Sequence, residues 1–363
     1  MRMLERIRIR NYKSIRDQTL LLKPLNVFIG SNGAGKSNLI GSFRFLKEIV
    51  GENLAGYTAI KGGAESLLHF GRKASDRLSF ELTFGEGSMS NGYLVDMRPT
   101  DDDGLVIWDE RARYHELDKY PTPFDLPVAQ RAKESKLRRL THVCATQVAR
   151  DLDSYRVYHF HDTSDTATVK GLSDVEDNRF LRSQAENLAS FLYWMQEMHR
   201  SRFQLVEAII AQIAPFFGGF VLEPSKLNAD KIRLQWREKG SDSYFSAASL
   251  SDGTLRFICL ATLLLQPELP SLVLLDEPEL GLHPAAINLL AELLLSASAR
   301  TQLLVATQSV TLVNQFEPQH LWTVDRRDGQ SVFEALDESS TKDWLSDYSL
   351  GELWEKNILG ARP

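Results

Sequence analysis

Hydrophobic and polar residues follow two different rhythms along this chain. From Met1 to Arg10 apolar and charged side chains take turns, the period-two pattern of a strand with one solvated face. Leu25-Asn26-Val27-Phe28-Ile29 is a short apolar run and predicts a buried strand. From Ser37 to Val50 the period lengthens: Leu39, Ile40, Phe43, Leu46 and Ile49 recur at helical spacing. Leu78–Phe84 alternates with period two again, and Gly92–Met97 and Leu105–Trp108 are further strand candidates. The turn-rich stretches Gly85–Gly92 and Arg98–Gly104 between them predict an antiparallel meander.

Tyr120-Pro121-Thr122-Pro123 marks a break. Helical spacing is expected from about 126 to 150, and more plainly over 183–214, where Leu188, Phe191, Leu192, Met195, Ile209 and Ile213 contribute to a broad apolar face. Neither stretch sustains heptads long enough for an extended coiled-coil arm. From Phe220 onward strands give way to alternation: helix Leu255–Leu265, buried strand Leu272–Leu275, helix Pro284–Ala299, buried strand Gln302–Ala306. Such alternation predicts a parallel α/β sheet. Its strands lie near both chain ends, so residues 1–118 and 215–363 are expected to build one unit, with 119–214 as a largely helical insertion between them.

The chemistry concentrates where strand meets helix. Gly30-Ser31-Asn32-Gly33-Ala34-Gly35-Lys36-Ser37 fits the phosphate-binding pattern G-x-x-x-x-G-K-[ST], and it lies between a strand and a helix as that pattern requires. Glycines let the backbone curl so that N–H groups converge on phosphate oxygens, and the helix N-terminus favours negative charge. Lys36 is then expected at the β- and γ-phosphates and Ser37 at Mg²⁺. Leu272–Leu275 followed by Asp276-Glu277-Pro278 is a Walker B pattern, with two carboxylates at the carboxyl edge of a buried strand. Asp276 is expected to hold Mg²⁺ beside Ser37, and Glu277 to polarise the attacking water. Ser251, opening the helix after Ser249-Leu250, is by itself an ordinary N-cap.

Taken together, Asn11-Tyr12-Lys13-Ser14, Gly30–Ser37 with Asn38, Leu250-Ser251-Asp252-Gly253-Thr254, Leu275-Asp276-Glu277-Pro278 and Ala306-Thr307-Gln308-Ser309 occur in one order. This set resembles the ABC-type ATPase heads of the SMC, RecF and overcoming-lysogenization-defect group. The closer likeness is to the short prokaryotic AAA-type ATPase branch marked by Asp-Glu-Pro-Glu-Leu-Gly-Leu-His-Pro, here Asp276 to Pro284. It covers about 1–85 and 215–330, and matches the middle segment only weakly. The resemblance implies a P-loop α/β head with a mixed sheet and an antiparallel β lobe. It also implies a homodimer with two ATP molecules sandwiched between heads, each capped by Ser251 and Gly253 of the opposite subunit. Lys13 would stand near the nucleotide, and Leu280-Gly281-Leu282-His283 at the dimer seam. Gln308 stands where most such heads carry a switch histidine, and Asp252 adds a negative charge to the signature, so turnover is expected to be slow and Asp252 to point away or pair with a base. The glutamine-loop residue has Gln147 as its candidate.

Other constellations carry two readings each. His159-Phe160-His161-Asp162 has a metal-like look or a structural role. Arg131, Lys133, Lys136, Arg138 and Arg139 form a basic stretch, either a solvated helix or a phosphate-backbone contact for DNA. The tail from Tyr348 to Gly360 reads as a short amphipathic helix that covers the core or docks a partner.

Composition narrows the class. The chain has 363 residues, a net charge of −6 and no overall basic surface for nucleic acid, and its longest apolar run, Phe257–Leu265, is too short for a membrane span. Its two cysteines, Cys144 and Cys259, suit buried thiols rather than a disulfide framework, so a cytoplasmic protein without membrane partners is expected. The function expected is a Mg²⁺-dependent ATPase whose heads dimerise on ATP. The family implies DNA maintenance or anti-phage defence, with any effector a separate protein. The alternatives are a non-catalytic ATP switch, or a scaffold that binds a partner through 119–214.

Overall fold

The computed structural model describes residues 2–337, 344 and 347–361; Met1, at the head of the expected first strand, lies outside the described residues. Strands β1 (Met3–Tyr12) and β2 (Ile15–Leu21) form a hairpin, β3 (Leu25–Ile29) enters the glycine loop, and α1 (Lys36–Val50) leaves it. Short helices α2 (Leu54–Ile60) and α3 (Gly63–Leu67) lead to the meander β4 (Leu78–Glu86), β5 (Met89–Pro99), β6 (Leu105–Glu116) and β7 (Phe124–Ala132). Then come α4 (Val143–Asp153), β8 (Tyr155–Tyr158), β9 (Leu172–Asp174), α5 (Leu188–Met198) and α6 (Arg200–Ile213). Five short strands follow: β10 (Phe217–Val221), β11 (Pro224–Ser225), β12 (Asn228–Arg233), β13 (Gln235–Glu238) and β14 (Tyr244–Ser246). The last third is α7 (Asp252–Leu265), β15 (Leu272–Asp276), α8 (Pro284–Ser298), β16 (Gln302–Thr307), α9 (Val310–Val313), β17 (Leu321–Arg327) and β18 (Gln330–Ala335). The tail helix forms at Leu350–Glu355 and buries Leu353 and Trp354, so it covers the core.

Two six-stranded sheets carry the architecture. One is antiparallel, in the order β2-β1-β4-β5-β6-β7, and the other is mixed, in the order β18-β17-β3-β16-β15-β8. Within the mixed sheet β17, β3, β16, β15 and β8 run parallel, and β18 returns antiparallel to β17. Helix α1 fills the space between the sheets: Leu39, Ile40, Phe43, Phe45, Leu46 and Ile49 are buried in a cluster with Phe80, Leu82 and Val95 on one side and Leu274, Leu304 and Ala306 on the other. A second cluster gathers α5, α6, α7 and α8 on the opposite face of the mixed sheet.

The helical expectation for 126–150 is corrected in its first part. Phe124–Ala132 is a strand, paired antiparallel to β6 with a register shift between Glu110 and Arg111. Pro127, which has no N–H to give, is tolerated because β7 is the edge strand of its sheet. Residues 155–158 are likewise a strand, the outermost of the parallel set beside β15. The free edge of β6 thus captures a segment whose local spacing is helical.

Buried polar side chains tie the two sheets together. Gln302, 1% exposed, accepts from the Leu4 N–H at 3.0 Å and donates to the carbonyls of Leu4 (2.9 Å) and Lys23 (3.1 Å). Gln302→Met should therefore strand those backbone groups and cost about 2–4 kcal/mol. Urea unfolding of the two proteins checks this, and an unchanged midpoint would show that the bridge contributes nothing.

Candidate functional site

Because β3, β16, β15 and β8 are parallel and in register, their carboxyl ends emerge side by side, where ligands of open α/β sheets collect. The loop from β3 to α1 sits on β18. Gly35 has φ of 119°, and a Cβ there would run into Ser331 Oγ, so only glycine fits. The Ser331 hydroxyl lies 2.5 Å from the Ala34 carbonyl oxygen and 2.7 Å from the Ser14 hydroxyl, and Asn38 donates to Ser14 Oγ at 2.7 Å. Ser14 and Ser331 therefore form the floor of the loop.

Lys36, 5% exposed, folds its ammonium back and donates to the carbonyls of Gly30 (2.5 Å) and Ser31 (3.0 Å). Burial pulls its pKa below the usual lysine value, against the attraction of Glu277, Asp276 and Glu279. The Ser37 hydroxyl favours the charged form of the Asp276 carboxylate, against the burial that raises its pKa. Asp276 Oδ1 is buried without a hydrogen-bond partner. A hydroxyl beside an unsatisfied carboxylate oxygen is the hard-oxygen donor set that Mg²⁺ takes, so Ser37 and Asp276 fit that ion.

Glu277 adopts a left-handed backbone with φ of 46°, held by its N–H to the Ala306 carbonyl at 2.8 Å. Its carboxylate accepts from Gln308 Nε2, which also donates to Asn32 Oδ1 at 2.7 Å. Gln308 thus spans Glu277 and the phosphate loop. The Lys13 ammonium lies over the Tyr12 ring at 5.7 Å, and burial lowers its pKa, with Lys61 and Arg44 adding to the effect.

Ser251 and Gly253 are placed at the head of α7. Ser251 caps the helix, accepting from the Thr254 N–H at 3.2 Å, and its side chain stays exposed. Gly253 packs against the Gly281 carbonyl, too closely for a Cβ. Asp252 faces Lys170, with Oδ1 4.0 Å from Nζ, so a base does attend the signature acid.

Two residues take roles at the site that the sequence reading did not assign to them. Glu279, 9% exposed, accepts from Thr307 Oγ1 (2.5 Å) and the Gln308 N–H (3.1 Å), and so fixes the backbone that carries Gln308. Its only sequence signal was its place two positions after Glu277. His161 follows β8 and its Nε2 meets the Asp276 carbonyl oxygen at 2.8 Å. Arg256 of α7 then donates to the carbonyls of His161 (2.6 Å) and Leu280 (2.7 Å), joining the helix, the acidic edge and the turn at Gly281. Gln147, by contrast, lies on α4 and bonds Asp151 at 3.1 Å, so His161 and not Gln147 stands beside Asp276.

The metal-like reading of His159-Phe160-His161-Asp162 is not realised: among the described residues no group of three or more His, Cys, Asp or Glu converges. Burial, with Arg44 and His161, pushes His159 down to about 4, so it is neutral at pH 7. The basic stretch is not a helix either. Arg131 belongs to β7, a 3-10 turn spans Leu137–Arg139, and Arg138 and Arg139 are paired with Asp153 and Glu52. Among the described residues no helix is long and apolar enough to cross a membrane.

Burial raises the Glu279 carboxyl above its usual 4.5. Such a group holds more protons folded than unfolded, so it costs stability as pH rises past the unfolded value. Wild type should lose stability relative to Glu279→Gln as pH rises above 4.5, read as a widening gap in urea midpoints. A gap independent of pH would contradict the burial argument.

A family model described as "AAA domain, putative AbiEii toxin, Type IV TA system" matches residues 25–314. Among solved structures, the fold is similar to an Smc head bound to the C-winged helix domain of ScpA, with TM-score 0.62, 16% identity, 93% of this chain and 99% of that one covered. It is also similar to an Smc head with an extended coiled coil bound to the C-terminal domain of ScpA, derived from Pyrococcus furiosus, with TM-score 0.60, 14% identity, and 96% and 99% covered. No curated protein matches the chain by sequence.

Proposed function

The chain belongs to the AAA-domain family described as putative AbiEii toxin, Type IV TA system, with an SMC-like ATPase head, and from that premise we propose that it hydrolyses ATP with Mg²⁺ and pairs two heads around the nucleotide. The observation that carries the reading is the convergence of Lys36, Ser37, Asp276, Glu277 and Gln308 at one sheet edge. Backbone N–H groups of Gly30, Ser31, Asn32, Gly33, Ala34 and Gly35, with that of Asn38 behind them, surround the phosphates, and Lys36 binds the β- and γ-phosphates. Ser37 and Asp276 would hold Mg²⁺, which neutralises phosphate charge when bound. Glu277 accepts a proton from the attacking water, and Gln308 donates an N–H toward the γ-phosphate. Gln308 cannot become cationic, so no histidine-like pH step arises from it.

The exposed Ser251 hydroxyl and the N-terminus of α7 suit a phosphate brought by a second copy. Arg256 links that surface to His161 and so to Asp276, a physical route from nucleotide occupancy to the dimer seam. ATP contacted by both heads stabilises the pair by mass action. DNA maintenance or anti-phage defence, through a separate effector, is the setting the family suggests. A second reading, an ATP switch with little turnover, is favoured by one observation: the Glu277 carboxylate is already engaged by Gln308.

Lys36→Ala should weaken ATP binding at least about 100-fold, measured by calorimetry; undiminished binding would remove the loop from the site. Glu277→Gln should lower phosphate release about 100-fold or more and trap an ATP-dependent dimer in light scattering. Equal release rates in the variant and wild type would leave the switch reading, and a strictly monomeric variant with ATP would remove the sandwich.

A further inference from the structure

The antiparallel sheet turns one face to α1 and the other outward. Phe80, Leu82, Val95, Met97 and Ile107 line the inner face, in one cluster with Ile40, Phe43 and Phe45 of α1. The outer face of β5, β6 and β7 holds an open cleft of about 440 Å³, lined by Arg77, Asp96, Arg98, Trp108, Asp109, Arg111, Gln130 and Arg131. It lies across the sheet from the phosphate loop and takes no part in the site described above.

Trp108 is the centre of this cleft. Arg98 of β5 places its guanidinium carbon 3.9 Å from the indole centroid, and Arg131 of β7 places its own at 4.8 Å. β5 and β7 are the two neighbours of β6, so the cations approach Trp108 from opposite sides, on strands roughly 10 Å apart. Both arginines remain exposed beside the indole, and a guanidinium held over an aromatic face keeps its N–H donors for an anion. Among the described residues neither arginine has a carboxylate within ion-pairing distance, although two carboxylates line the same cleft. Asp109 is taken by Arg111 at 2.7 Å. Asp96, directly opposite Asp109 across the strands, has its Oδ1 buried with no hydrogen-bond partner. Arg131 holds a left-handed backbone, φ 47°, at the point where its side chain returns over Trp108.

The cleft therefore offers two exposed guanidinium groups, an unsatisfied carboxyl oxygen and the Gln130 amide within one concavity. A uniform polyanion would meet the two acids as well as the arginines. A ligand with an anionic end and a planar end rich in N–H donors satisfies both sets. We propose that this cleft is a second binding site, for a nucleotide whose phosphate is held by the guanidinium groups of Arg98 and Arg131 above the Trp108 ring edge and whose base edge reaches Asp96 and Gln130. Guanidinium forks match phosphate oxygens bidentately, acids accept from base amino groups, and bases stack on guanidinium planes. The volume lies in the range of small-molecule sites. The nucleotide is either free or one unit of a single strand, since both present the same phosphate and base.

Calorimetric titration of the full chain tests this, on wild type and on Lys36→Ala, so that uptake at the phosphate loop is separated from uptake here. The probes are the four ribonucleoside 5′-monophosphates, a mixed single-stranded oligonucleotide of about 12 nucleotides, and inorganic pyrophosphate as a base-free anion. Saturable binding, equal in wild type and Lys36→Ala, is expected for the monophosphates if the ligand is free, or for the oligonucleotide alone if it is a strand. Arg98→Ala with Arg131→Ala should weaken it about tenfold or more while ATP affinity is retained, which reports an intact fold. Arg98→Lys with Arg131→Lys, which keeps the charge and loses the fork, should restore little of it. No saturable binding of any nucleotide probe, pyrophosphate binding as tight as theirs, or affinity unchanged in the double alanine variant would each overturn the proposal.

Discussion

The pairing of β3 with β16 is the contact on which the rest depends. It joins residues near 27 to residues near 305, with Val27 beside Val305 and Ile29 beside Thr307, and β15 continues the register with Asp276 beside Ala306. That alignment alone puts the glycine loop, the acidic turn and Gln308 at one edge. A slip of one residue would carry each side chain to the other face of the sheet. Asn26 opposes such a slip from inside the core: it is fully buried, donates to Leu303 O at 3.3 Å, and accepts from Lys23 N at 2.9 Å and Trp322 Nε1 at 3.2 Å. An apolar residue there would suit the strand but leave those groups unpaired. The polar residue in an otherwise apolar run thus sets register rather than adding to the core.

Around this edge the molecule uses hydroxyl and carboxylate contacts to hold backbone, and longer side chains to bridge between elements. The floor under the glycine loop is made of short hydroxyl contacts from Ser14 and Ser331, elements far apart in the chain. Glu279 clamps the backbone of the switch segment, whereas the Gln308 amide itself rests between two partners, Glu277 and Asn32. Arg256 bonds only carbonyl oxygens, on two turns at once, so displacement of either turn reaches α7. A clamped backbone with side-chain ends that each bridge two partners is an arrangement in which a contact can be exchanged without refolding the sheet.

Much of this was legible in the sequence because motif and period agreed. The run Leu25–Ile29, the glycine loop and the apolar face of Ser37–Val50 each pointed to the same local geometry, and so did Leu272–Asp276. Reading failed where partners decide. Phe124–Ala132 has spacing compatible with a helix and contains Pro127, yet the open edge of β6 makes it a strand. His161 lies in a segment that looked like a metal ligand set; its meaning depends on β8 lying beside β15, which no local pattern encodes. Glu279 was visible only as a third acidic letter in a motif, because its task is to accept from a segment about thirty positions later. The outer-face arginines scattered over β5 and β7 were likewise invisible as a group until the strands were laid around Trp108.

The return of Lys36 onto the carbonyls of Gly30 and Ser31 has a consequence for selectivity. The ammonium is already solvated by its own loop, so a ligand enters by exchange, not by simple addition. It must give back two carbonyl contacts before it gains one phosphate contact. On the proposed reading, a phosphate chain that also takes N–H groups along the loop would offset that exchange more fully than a single anion. If the loop holds a nucleotide as proposed, the Lys36 contacts would thereby favour longer phosphate chains before any base has been read.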